Sequence, residues 1–112
     1  WAGFMLNSSE LDFAKRDMQP KLLTSKEELL KTAEENFLSS KKALENASEA
    51  DLEPDWSLKN DGKILASWSV YGAIRHSLNQ ITHHRAQLGL YYRLNEIPLP
   101  GSYGPTADSE SF

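Results

Sequence analysis

The chain has 112 residues, 39% hydrophobic and 25% charged, with a formal net charge of −4 and no cysteine. That profile describes one globular domain and favours neither a disordered nor a membrane-spanning class; the missing cysteines exclude disulfides, thiolate catalysis and thiolate metal sites. The twelve Lys and Arg are scattered, so no basic face is available for phosphate and no nucleic acid partner is expected.

No apolar run approaches the roughly 18 residues of a membrane-spanning helix, and no basic-then-apolar leader opens the chain. A cytoplasmic protein without a membrane partner is expected. The opening Trp1-Ala2-Gly3-Phe4-Met5-Leu6 reads as the middle of an element, as though residues upstream had been left out or removed. Its spacing predicts the stub of a helix, ended by the turn chemistry of Asn7-Ser8-Ser9.

From Glu10 to Leu23 no period holds, and a loop pinned by Leu11, Phe13, Met18 and Leu22 is expected, with Pro20 unsuited to a helix. Ser25 followed by Glu28 is a capping box that predicts a helix beginning near Lys26. Along it Leu30, Ala33, Phe37, Leu44 and Ala47 recur at three- and four-residue steps, with charges mostly on the other side. Ser48 to Asp55 breaks the pattern, Trp56 and Leu58 read as anchors, and Asn60-Asp61-Gly62 is a turn signal, followed by a brief extended or turn segment.

A long helix is then expected, starting between Leu65 and Val70 and running to about Leu94, where Pro98 and Pro100 bar its continuation. The proline-containing tail, 97–112, should lie across the helices through a few apolar anchors, with Thr106 to Phe112 loose. On the long helix Ala66, Val70, Ala73, Ile74, Ser77, Ile81, His84, Leu88 and Tyr91 form one stripe at about 100° per residue. That stripe turns His84 inward. Gln80 stands one turn before it, where a two-histidine metal motif would carry imidazole, whereas His76 and His83 fall on the opposite face. Arg85 borders the stripe and suits an ion pair or a carbonyl cap; Tyr91 and Tyr92 read as packing residues. The stripe is wide enough to want more neighbours than these helices supply, so a second copy or missing residues should complete the core, and a homodimer or higher homo-oligomer is expected.

The stretch Leu78-Asn79-Gln80-Ile81-Thr82-His83-His84-Arg85-Ala86-Gln87-Leu88, with Tyr91-Tyr92-Arg93-Leu94-Asn95 and the tail from Pro98 to Asp108, resembles the C-terminal part of the DinB-like family. The likeness extends weakly back through Ser8 to Phe13, Thr24 to Leu29 and Trp56. It implies an all-α four-helix bundle, often dimeric, here lacking its first helix and part of the second, with 1–112 forming a single partial domain. It also implies a divalent metal, zinc or nickel, held by three histidines. The last of these falls on His84, the one before it on Gln80, and the first upstream of Trp1. Gln80 is a weak, hard ligand better suited to calcium or magnesium.

The leading expectation is therefore a DinB-like helical protein of unknown activity with a degenerate metal site. The alternatives are a divalent-metal-dependent transferase or isomerase acting with a small thiol, and a non-catalytic stress-responsive binding module.

Overall fold

The computed structural model describes residues 1–15, 22–101 and 103–109. In chain order they form α1 (Ala2–Leu6), β1 (Glu10–Asp12), α2 (Lys26–Asn46), a 3-10 turn at Glu49–Leu52, β2 (Asp55–Asn60), β3 (Lys63–Ser69) and α3 (Val70–Leu94). The strands make one sheet in the order β1-β2-β3. An all-α four-helix bundle, whole or truncated, is thus not the fold: three helices share the chain with a three-stranded sheet.

The physical reason lies in Asp55 to Ser69. Trp56 and Leu58 alternate with Ser57 and Lys59, and across the hairpin Trp56 pairs with Trp68 and Leu58 with Ala66. This is the two-residue period of a strand with one covered face. Asp61 (φ 49°) and Gly62 (φ 74°) both take positive φ, the requirement of a two-residue type I′ turn, whose twist matches that of the strands it joins. Leu58 pairs with Ala66 but Lys59 with Ile64, so Leu65 is the extra residue of a bulge that bends β3 beyond the paired tryptophans. Ala66, counted above into the helical stripe, belongs to this strand.

Residues Glu10 to Asp12 are likewise not loop but strand, lying parallel to β2 in the register Glu10 to Ser57, Leu11 to Leu58 and Asp12 to Lys59. Three residues are too few to display a period. Met18 and Pro20, in the same expected loop, lie outside the described residues.

The two principal helices start and end for local reasons. At α2 the Ser25 Oγ accepts the Glu28 N–H at 3.1 Å, as the capping box requires. The return bond differs, because Glu28 Oε2 accepts from the Thr24 N–H at 3.2 Å instead of from Ser25. At α3 the Ser69 Oγ accepts the Gly72 N–H at 3.2 Å, an N-cap supplied by the last residue of β3. The α3 end is a Schellman arrangement: Ile97 N–H bonds to Tyr92 O and Glu96 N–H to Arg93 O, both at 3.0 Å. Glu96 takes the left-handed position there, with φ 57°.

The chain divides into two compact units, Trp1–Ser77 and Leu78–Phe112. The core of the first consists of Ala2, Met5, Leu11, Trp56, Val70, Ala73 and Ile74, with Phe4, Leu6, Leu52, Leu58 and Trp68 packed against it. Trp56 is its largest fully buried side chain, 2% exposed; removing that much apolar surface from water is worth about 4–6 kcal/mol before entropic costs. Its indole N–H donates to Ser8 Oγ at 3.3 Å, and its ring stacks on Trp68 at 6.4 Å and meets Phe4 edge-on at 6.3 Å.

In the second unit the tail is held as far as Ser109, within the stretch from Thr106 that was expected to be loose; Glu110 to Phe112 lie outside the described residues. Leu99 approaches α3 closely at Gly89. Thr106 and Ser109 exchange backbone hydrogen bonds, and Asp108 Oδ2 accepts from Arg93 Nη2 at 2.9 Å and from the Leu99 N–H at 3.1 Å. Among the described residues no helix is long and apolar enough to cross a membrane.

Candidate functional site

The histidines of α3 do not make the site that the helical stripe suggested. From Leu78 to Leu88 every residue of α3 is exposed, so His84 faces solvent and not a core. Its Nδ1 lies 3.1 Å from Gln87 Oε1 on the next turn, and its ring meets His83 edge-on at 5.3 Å. Gln80 is exposed one turn earlier. His76 is also exposed, but its ring stacks on Trp68 at 5.1 Å, which fixes it to the first unit's aromatic cluster.

A zinc or nickel ion needs three or four protein donors. Among the described residues no three His, Cys, Asp or Glu side chains come together in a way that would hold one. The described residues thus bring no closed centre together, and His84 and Gln80 stand one turn apart on an exposed stretch of α3, two donors where such an ion takes three or four.

The most constrained polar group is one that sequence reasoning passed over. Asp12, at the end of β1, is 5% exposed. Its Oδ1 accepts the Asp61 N–H at 2.9 Å and the Ala14 N–H at 3.1 Å, and its Oδ2 accepts the Gly62 N–H at 2.9 Å, with Lys15 Nζ at 3.6 Å. The Gly62 amide foremost, then the Ala14 and Asp61 amides and the Lys15 charge, hold the Asp12 carboxyl below its usual range, against the opposing effect of desolvation. Glu10, hydrogen-bonded to the Lys59 ammonium on the neighbouring strand, is lowered in the same direction. This carboxylate clasps the hairpin turn to β1 and has its lone pairs already engaged, which suits a structural latch better than a proton-transfer group. It left no signal of its own in the sequence beyond the Asp61-Gly62 turn that it fastens, 49 residues away.

In the second unit an open groove of about 530 Å³ runs along α3 and the tail, lined by Leu88, Gly89, Tyr92, Leu99, Pro100 and Tyr103 among others. Among the described residues no carboxylate or imidazole lines it, and its mainly apolar wall also carries Arg85 and Arg93.

The largest departure from a self-contained domain is α2. This helix has 21 residues and no buried one. Leu29 (57% exposed), Leu30 (58%), Phe37 (66%), Leu38 (54%) and Leu44 (43%) all lie open on it. Its contact with the rest of the first unit is chiefly with α1, where Gly3 approaches Ala43. The opposing polar surface carries the ion pairs Lys31 to Glu35 (3.9 Å) and Lys41 to Glu45 (3.7 Å), each adding only a few tenths of a kcal/mol to the helix. No protein-family model, curated protein or solved structure matches the chain.

Proposed function

We propose that this chain is a self-associating module that completes its apolar packing against another copy of itself. The observation that carries the reading is α2, whose apolar residues recur at helical spacing yet none is buried. A helix of this length is marginal in water from propensity alone and draws its stability from burying an apolar face. The second half of α3 supports the same reading, with Leu78, Ile81, Leu88, Tyr91 and Leu94 each at least half exposed. Contiguous apolar surface of this kind marks an interaction site in a folded protein.

The test is the mass of the chain in solution by sedimentation equilibrium across a concentration series. A dimer or higher oligomer is expected, and Phe37→Glu should lower the mass to that of one chain and, because α2 loses its cover, reduce the helical circular dichroism by part of the α2 share. A wild-type chain that stays monomeric with full helix content throughout the series would overturn the proposal.

A further inference from the structure

We infer that two copies pair through α2 in antiparallel orientation, in a single register set by the alternation of large and small residues along the helix. This rests on the self-association proposed above and specifies its contact.

The seam is a heptad pattern. Leu30, Phe37 and Leu44 recur every seven residues, and Ala33, Ser40 and Ala47 follow each of them by three. These are successive a and d positions along nearly five turns of helix. Every a position is large and every d position small. In a parallel pair like meets like, so Phe37 would oppose Phe37 and Ser40 would oppose Ser40, alternately crowding and emptying the layers. Reversing one helix exchanges a for d. One register then places Leu30 against Ala47 of the second copy, Ala33 against Leu44, and Phe37 against Ser40, and the two-fold axis repeats each contact. All six seam positions are used, each large residue opposite a small one, which is the interdigitation that dense packing requires.

Four of the six positions, Leu30, Ala33, Phe37 and Leu44, are exposed; Ser40 and Ala47 are half-buried, Ala47 on the side that faces Leu6 and Asn7 of the same chain. Helix α1 meets α2 at Ala43, about a quarter turn round the helix from the middle of the seam, so it flanks the seam without covering Phe37. The charges agree as well. The same antiparallel register sets Glu34 beside Lys41 of the second copy, twice by symmetry, and brings no like charges together on that flank. Lys41 already leans towards Glu45 of its own chain at 3.7 Å, so its ammonium would sit between two carboxylates.

The natural chain has no cysteine, so disulfide trapping reads the register directly. The double variant Ala33→Cys/Leu44→Cys, oxidised as a full chain, should become covalent dimer as its main species. Ala33→Cys alone should remain uncross-linked, since its two thiols would lie about 16 Å apart along the axis. Both substitutions are on exposed positions, and sedimentation of the reduced double variant checks that it still associates. Ready cross-linking of Ala33→Cys alone would mean parallel pairing and overturn the inference. A dimer by sedimentation that neither variant traps would overturn it too, leaving self-association through another surface. A monomeric wild-type chain would overturn both readings.

Discussion

Replacing Gly62 by Ala isolates the backbone requirement of the hairpin turn. A Cβ built on Gly62 has nothing within 4 Å, so no steric clash enters, and the Gly62 N–H keeps its bond to Asp12. What remains is φ 74°, a conformation that costs an L-residue about 1–2 kcal/mol. Alanine also restricts the unfolded chain, which returns about 0.4–1 kcal/mol, so a net loss near 1 kcal/mol is expected. In urea this is a fall in the unfolding midpoint of about 0.5 M at unchanged slope. Trp56 and Trp68, opposite each other in the same hairpin, provide the fluorescence signal. The neighbouring Asp61→Gly is the control: its φ of 49° is one that Asp tolerates, and the relief is offset by the flexibility of glycine in the unfolded chain, so little change is expected. A Gly62→Ala variant as stable as wild type would refute the type I′ turn and with it the register of the hairpin.

Three further substitutions test separate parts of the fold. Glu96→Gly should stabilise the chain by about 0.5–1 kcal/mol, because glycine takes the left-handed position that closes α3 without strain; thermal unfolding would show a raised midpoint. Ser25→Ala removes the side-chain acceptor for the Glu28 N–H and should cost about 1 kcal/mol, read as lost helix on mild heating. Asp12 should make stability depend on acid. Its carboxyl titrates lower folded than unfolded, so its contribution is complete above the unfolded value, about 3.9, and is lost as pH falls through the lower folded value. Asp12→Asn should be less stable at neutral pH and lose less on acidification than wild type; equal acid slopes would show that the clasp does not form.

The helices were legible because their signals are local. Ser25 and Glu28 marked the start of α2, and Arg93-Leu94 with the prolines beyond marked the end of α3. The Asp61-Gly62 turn was legible too, but its flanks were read as anchors because Trp56, Leu58, Ala66 and Trp68 give only two inward residues per strand, and the bulge at Leu65 breaks the alternation. β1 is three residues long, and the hairpin amides that bind Asp12 stand 49 and 50 residues away, beyond any local rule. The inward placement of His84 failed for another reason. A helical stripe fixes which residues share a face, but what that face meets depends on the neighbours present, and among the described residues none buries the stretch from Leu78 to Leu88.

The parallel pairing of β1 with β2 also sets an order of assembly. The hairpin closes through two residues, whereas joining Asp12 to Asp61 closes a loop 49 residues long, at an entropic cost greater by about 3 kcal/mol. The hairpin is therefore expected to form early and β1 to dock late, with the Asp12 carboxylate fastening itself over a turn already made. In stopped-flow fluorescence Gly62→Ala should slow refolding, whereas Asp12→Asn should chiefly speed unfolding.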